Sequence, residues 1–376
     1  MRETFRLGRI SGVAIGVNWT LLAVAGLVTV GLAGGRYPAE APGYSTTAYT
    51  IAGFITAVLF LATVLAHELS HALVAKREGM EVTGVTLWLL GGVTQIEGEA
   101  ANPAAEVRIS GSGPLASLLL GLAFVGVAGL LHLADVAPLA VEVLAWLGTI
   151  NVVLALFNVL PGAPLDGGRL LHAFVWWRRG DRLKATVTAS RAGRALGYSL
   201  IGVGFLMFAV SGSVDGLWLG LIGWFLAGAA RTEQGQAQLR HALDGVLVGQ
   251  VMSRDPVVGP GWLTVQAFID DYLFTHRHSA FPVEAWGDGL AGLVTLSRLR
   301  EVPPDRRMAV RVIDIAVPLA SVPTAHPEEE LIDLLARMDA TTGSRALVLD
   351  AEEHLVGIIT AADVTRALAH ASLRTA

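Results

Sequence analysis

Residues 46–71 read TTAYTIAGFITAVLFLATVLAHELSH. No charge interrupts the chain between Glu40 and His67, and about 20 apolar residues suffice to cross a hydrocarbon layer. The stretch is expected to be a transmembrane helix whose last turns carry two His and one Glu. Four more uncharged runs are long enough to span: Arg9 to Arg36, Arg108 to His132, Glu142 to Asp166, and Arg194 to Asp215. A sixth, Asp215 to Arg231, encloses only 15 residues and needs Asp215 at a headgroup. Of 376 residues, 53% are hydrophobic, 16% are charged and 43 are Gly. With a mean hydropathy of +0.56, this is too apolar for a soluble domain of that size. The expected fold class is a polytopic α-helical membrane protein with about six transmembrane helices.

Basic residues fix its orientation. Arg2, Arg6 and Arg9 precede the first span, Lys76 and Arg77 follow the second, and Arg178, Arg179, Arg182, Lys184, Arg191 and Arg194 lie between the fourth and fifth. The opposite loops, 36–48, 132–137 and 211–215, hold one Lys or Arg, Arg36. Both termini are expected on the cytoplasmic side of a bacterial inner membrane. The first span, long and without a small-residue cleavage site, is expected to be retained rather than removed as a signal peptide. The basic loop is accounted for by topology and anionic headgroups, so membrane lipid is an expected partner and nucleic acid is not.

Val82 to Ile96 is uncharged too, but it is β-branched and broken by Gly84, Gly91 and Gly92, so a β-hairpin is expected. Unpaired strand edges are not tolerated against lipid. The hairpin must be buried between helices or dip part way into the membrane from the cytoplasmic side.

Beyond the spans the composition changes. Residues 231–376 carry 32 charges in 146 positions, against 27 in the preceding 230. They also contain an internal repeat at an offset of 65: Ser279 with Ser344, Val283 with Val348, Leu290 with Leu355, Gly292 with Gly357, and Thr295 with Thr360. Each copy reads helix, strand, turn, strand, helix: Val265–His276, Ala280–Val283 and Leu290–Val294 against Glu329–Asp339, Ala346–Leu349 and Leu355–Ile359. Two such α/β units resemble a tandem pair of CBS domains. The expected organisation is a membrane domain over 1–230, a linker over 231–248, and cytoplasmic CBS copies over 249–302 and 312–372. Tandem CBS pairs often dimerise, so a homodimer is implied.

With no Cys in the chain, disulfides, thiolate metal sites and cysteine nucleophiles are excluded, and a catalytic metal must use His, Asp or Glu. His67 and His71 are four apart, share a helix face and can aim ring nitrogens at one ion. Glu68, one position on, can reach a water as general base without being a ligand. Ionisable residues inside a membrane helix are functional by default. A catalytic zinc usually has three protein ligands. Asp166, in Asn158-Val-Leu-Pro161-Gly-Ala-Pro164-Leu-Asp166-Gly167-Gly168-Arg169, is the acid best placed to be the third. Pro161 and Pro164 end a helix, and Gly167 and Gly168 permit a tight turn. The same spelling also fits an Asp that merely caps a helix or makes a turn. Glu97, Glu99 and Glu106 are read as solvated loop acids, and His172 as helix-surface packing.

Together the two motifs closely resemble the site-2 protease family of intramembrane zinc metalloproteases. The match extends to Asn151, to Gly91-Gly92-Val93-Thr94, and to Ser112-Gly113-Pro114. The resemblance implies that His67, His71 and Asp166 ligate Zn²⁺ and that Glu68 activates the water that attacks a peptide carbonyl. It also implies a substrate role for Asn151, whose alternative is an interhelical hydrogen bond. Cleaving a helical substrate requires unwinding it, and the strand Gly91, Gly92, Val93, Thr94 offers an edge to which the freed backbone can add. Where the family often has Asn shortly after Gly-Pro, this chain has Ser117, which puts a packing or substrate contact in doubt. The implied substrate is a single-span membrane protein cut near the cytoplasmic face, of the anti-sigma-factor or pro-regulator kind.

In the second CBS copy, Gly357-Ile-Ile-Thr360-Ala-Ala-Asp363 matches the pattern in which Thr and Asp hold a nucleotide, so Thr360 and Asp363 are candidates for binding an adenine nucleotide. The first copy, Gly292-Leu-Val-Thr295-Leu-Ser-Arg298, has Arg in place of that Asp. The alternative is that Thr360 and Asp363 cap a helix. Two other functions compete: a CBS-gated divalent-cation transporter or channel using His67, His71 and Asp166 as a transport site, and an inactive, substrate-sequestering relative.

Overall fold

The computed structural model describes residues 4–89, 91–276, 278–287, 289–338 and 344–374. The chain forms two compact units, 1–235 and 236–376.

In the first unit a hairpin of β1 (Phe5–Ile10) and β2 (Val13–Val17) precedes α1 (Leu21–Glu40) and α2 (Thr46–Arg77). β3 (Glu81–Trp88) and β4 (Gly91–Glu97) follow, then α3 (Pro103–Leu133), α4 (Pro138–Val159), α5 (Asp166–Arg179), α6 (Arg182–Ser211) and α7 (Val214–Leu243). Five of these helices, α1, α2, α3, α4 and α6, are long and apolar enough to cross a membrane. α7 forms as a helix of 30 residues but is not among the five, because only its stretch between Asp215 and Arg231 is free of charge.

Local chemistry sets the ends of these helices. The Ser45 hydroxyl accepts from the Ala48 N–H at the start of α2, and Lys76 and Arg77 sit at its negative end. Asn102 caps α3 ahead of Pro103, a first-turn position that needs no N–H. Glu142, expected as a span boundary, lies inside α4 and pairs with Arg36 at 3.2 Å.

The expected hairpin is present, with Val85 opposite Thr94 and Trp88 opposite Gly91. It belongs to a larger four-stranded sheet in the order β1-β2-β3-β4, in which β2 runs parallel to β3. The first uncharged run therefore does not begin a helix at Arg9. Val13-Ala-Ile-Gly-Val17 is short and β-branched, and it finds a ladder partner in β3 before α1 starts at Leu21. Val13, Leu21, Ala72, Val85 and Leu87 bury the inner face of the sheet against α2.

The second unit repeats one sheet twice. β6 (Gly259–Pro260), β7 (Ala280–Glu284), β8 (Leu290–Thr295) and β9 (Val317–Pro318) pair in that order. β10 (Thr324–Ala325), β11 (Ala346–Leu349), β12 (Leu355–Ile359) and β5 (Ser253–Arg254) form the second sheet with the same pairing directions. The first strand of each copy completes the other copy's sheet, so neither copy is whole alone. Leu293 and Val317 of one sheet pack with Leu347 and Ile358 of the other. Outside the sheets, α8 (Leu296–Glu301), α9 (Leu331–Arg337) and α10 (Ala361–Arg374) complete the copies. The expected helix end at Asp339 lies outside the described residues. The stretch 231–248, read as a linker, is helical through Leu243, and Leu243 and Val246 are buried in the core of the second unit.

Candidate metal centre

α2 carries His67 and His71 one turn apart, and α5 begins at Asp166. His67 and His71 are 5% and 7% exposed, close to the burial at which an unpaired polar group becomes costly. Their Nε2 atoms are 3.2 Å apart, and Asp166 Oδ2 is 3.2 Å from each. Three donor atoms thus form a nearly equilateral triangle. They are the one group of three or more such residues among the described residues able to hold an ion.

The partners of the other ring nitrogens say what these atoms are. His71 Nδ1 lies 2.7 Å from the Ile109 carbonyl, which can only accept, so Nδ1 carries the proton and Nε2 presents a lone pair. His67 Nδ1 lies 2.9 Å from the Ser117 hydroxyl, which can accept its proton and leave Nε2 free in the same way. Lone pairs and a carboxylate oxygen meeting at 3.2 Å repel unless a cation lies among them. Tetrahedral zinc with bonds of about 2.0–2.1 Å holds its ligands roughly 3.3 Å apart, so the donor set and its spacing fit that ion.

Glycines clear the space. A Cβ on Gly113 of α3 would lie 2.2 Å from His71 Nε2 and 2.6 Å from His67 Nε2, which is why Ser112-Gly113-Pro114 can pass directly over the imidazoles. Gly167 and Gly168 were expected to make a tight turn. Instead they lie in the first turn of α5, where a Cβ on Gly167 would meet the Val159 carbonyl oxygen at 2.2 Å and one on Gly168 would meet the Ala163 nitrogen at 2.4 Å. Close approach rather than turn geometry requires them. Asp166 caps nothing: the N-cap is Leu165, which leaves the carboxylate free to face the imidazoles.

Glu68 does not join the triangle. Its Oε2 accepts a 2.7 Å hydrogen bond from the Thr94 hydroxyl on β4. Gly91, Gly92, Val93 and Thr94 therefore run beside the HExxH turn. β4 is an edge strand, with β3 on one side and no strand on the other among the described residues. Asn151 is fully buried in α4. Its amide donates to the Leu147 carbonyl at 2.8 Å, and its Oδ1 has no partner among the described residues. One of its two amide N–H groups is thus used within its own helix, and its acceptor has no partner among the described residues.

Two contacts differ from expectation, and a third follows the capping alternative. Ser117 abuts His67, so the departure from Asn falls at the imidazole rather than at packing alone. Glu106 is not simply solvated: it lies in the first turn of α3, with an oxygen 2.8 Å from His172 Nδ1. His172 is accordingly a hydrogen-bonding group on α5 as well as a packing one. In the second unit, Thr360 and Asp363 form a capping pair. The Thr360 N–H and hydroxyl both donate to Asp363 Oδ2, at 2.9 and 2.6 Å, and Ser253 donates to Oδ1 at 3.1 Å.

Comparison with known proteins bears on the whole chain. The model of peptidase family M50 matches residues 55–137 and 126–200, and a CBS domain model matches 312–370. The chain is 45% identical to the zinc metalloprotease Rip3 of Mycobacterium tuberculosis over 97% of its length and 93% of that protein's. It belongs to peptidase family M50, the site-2 proteases. A zinc metalloprotease of Synechocystis is 31% identical over 98% of this chain and 96% of its own. The site-2 protease from Methanocaldococcus jannaschii, a solved structure, is 26% identical with a TM-score of 0.42, covering 61% of this chain and 94% of that one. This M50 member is a multi-pass intramembrane metalloprotease with a C-terminal CBS domain.

Proposed function

We propose that this protease uses His67, His71 and Asp166 to hold Zn²⁺ and Glu68 as its general base, and that it cuts single-span membrane proteins near the cytoplasmic face. The observation that carries this reading is the 3.2 Å triangle of two buried imidazoles and a partly buried carboxylate, with a second carboxylate next to His67 that takes no part in it. Zinc, when bound, polarises a carbonyl and lowers the pKa of water to about 7. Glu68 takes the proton of the attacking water and returns it to the leaving amine as the peptide C–N bond breaks. An unwound substrate segment adds to the free edge of β4 through Gly91 to Thr94. Asn151 contributes the amide N–H not used within α4 to the negative charge that develops on the scissile carbonyl oxygen.

In this reading residues 1–230 form the protease domain in a bacterial inner membrane, and both termini are cytoplasmic, which requires α7 to cross as the sixth span. The released fragment is a cytoplasmic regulator of the anti-sigma or pro-form kind. Residues 249–302 and 312–372 form the CBS pair, which senses an adenine nucleotide at Thr360 and Asp363 and joins two copies of the chain. A nucleotide there has to share or displace the contacts that Asp363 makes with Thr360 and Ser253.

The test is zinc per chain by elemental analysis of detergent-purified protein, wild type beside Asp166→Ala, with folding checked by circular dichroism. We expect about one zinc in wild type and a clear reduction in the variant. Equal zinc in both removes Asp166 as a required ligand, and no zinc in refilled wild type removes the metalloprotease assignment of these residues.

A further inference from the structure

Thr94 lies 26 residues beyond Glu68 in sequence, yet its hydroxyl is 2.7 Å from Glu68 Oε2 and 3.2 Å from the Glu68 carbonyl oxygen. A hydroxyl has one proton to give, and the shorter contact is in the range of charge-assisted O–H···O⁻ bonds. Gly92, two residues earlier and so on the same face of β4, lies under the same side chain. A Cβ there would fall 2.2 Å from Glu68 Cγ, 2.7 Å from Cδ and 3.0 Å from Oε1. Val93, between them, points to the other face and is 42% exposed. The Glu68 side chain is thus laid flat against one face of β4, its alkyl part on Gly92 and one carboxylate oxygen held by Thr94.

We propose that Thr94 is a positioning residue for Glu68: its hydroxyl fixes Oε2 so that Oε1 is the oxygen presented to water. The inference rests on Glu68 being the general base. It also assigns β4 a second task. The strand whose open edge suits an extended substrate carries, on its face, the group that aligns the base, so any shift of β4 moves both together. A substrate-contact role for Thr94 needs its hydroxyl free to reach a peptide, whereas here the hydroxyl is committed to the carboxylate.

The experiment compares wild type, Thr94→Val and Thr94→Ser on a fluorogenic single-span peptide whose helix has a Gly-Pro break in its cytoplasmic half, in detergent micelles. Zinc content and affinity for a peptide hydroxamate are measured on the same samples. Val keeps the shape and removes the donor; Ser keeps the donor. We expect Thr94→Val to lower kcat roughly 10- to 100-fold, as loss of an orienting partner does, with KM and zinc within about twofold of wild type. Hydroxamate affinity falls with it, since that ligand passes a proton to the base, and Thr94→Ser regains most of both. A raised KM at unchanged kcat overturns the proposal in favour of a substrate contact. Thr94→Ser as poor as Thr94→Val overturns it in favour of packing. If wild type holds zinc but neither cleaves the peptide nor binds the hydroxamate, the protease assignment itself fails, a result distinct from either of these.

Discussion

The start of α10 and the junction of α2 with α5 each gather buried and partly buried polar side chains around a short motif, and both motifs resemble ligand sites in sequence. Their atoms face different things. At α10, Thr360 donates twice to Asp363, the Thr360 hydroxyl lies 3.4 Å from the Asp363 N–H, and Ser253 donates to the remaining oxygen. Each donor has an acceptor, Arg366 lies 3.6 Å from Asp363 Oδ1, and the group is satisfied from within the chain as a capping box. At the junction, His67, His71 and Asp166 turn lone pairs toward one point, while the outer nitrogens are held by the Ile109 carbonyl and the Ser117 hydroxyl. Buried polar groups that satisfy one another stabilise a fold; buried acceptors that converge unsatisfied call for a ligand. The difference lies in where the third atom points, and no motif spells that.

The sharpest way to break the comparison is Glu68→Gln. The change keeps shape and zinc but removes the base, so cleavage should fall about 10²–10⁴-fold, the usual contribution of general-base catalysis. Peptide turnover beside zinc per chain checks it. A cation transporter built on the same triangle would keep its flux in this variant, so retained activity of that kind would move the site from hydrolysis to transport.

Next in size is Gly113→Ala. Its Cβ would sit 2.2 Å from His71 Nε2, with α3 backbone behind it, so either the imidazole or the helix has to move. Zinc affinity should drop roughly 10- to 100-fold, as it does when a ligand's support is disturbed. Competition with a chelator measures this without reference to activity. Zinc binding equal to wild type would mean that the His pair is not held where the ion sits.

How much of this was legible in the chain follows from the range of each contact. His67 and His71 are one helical turn apart, so helix periodicity alone brings them together. Five spans were readable because each is bounded by charges. β1 and β2 were not, since Val13–Val17 has no charge to separate it from the span that follows and its partner is β3, some seventy residues on. Asp166 was readable as a candidate but for the wrong reason: Gly167 and Gly168 suggested a turn, and close packing on Val159 and Ala163 is what requires them. Ser117 with His67, Thr94 with Glu68, and Glu106 with His172 are contacts between distant segments that only the assembled fold brings within 3 Å. The offset of 65 gave the repeated strands correctly, yet gave no sign that β5 and β9 exchange between the copies.

The smallest effect expected, and the one that tests the other half of the comparison, belongs to Asp363→Ala. The first copy offers a built-in control: Thr295 accepts from the Arg298 N–H at 3.4 Å, but Arg298 has no acceptor with which to return the contact. If Asp363 is chiefly a cap, its loss should destabilise the second unit by about 0.5–2 kcal/mol. Arg298→Ala should then change stability by less than about 0.5 kcal/mol, since its side chain takes no part in a cap. Calorimetry of the full chain measures both. Adenine nucleotide separates the roles further. If ATP or AMP raises the unfolding temperature of wild type and of Arg298→Ala but not of Asp363→Ala, Asp363 binds nucleotide as well as capping, and the α10 group is not closed after all. A nucleotide effect that survives in Asp363→Ala places the ligand elsewhere in the pair, while a stability loss with no nucleotide effect in any of the three leaves Thr360 and Asp363 as architecture.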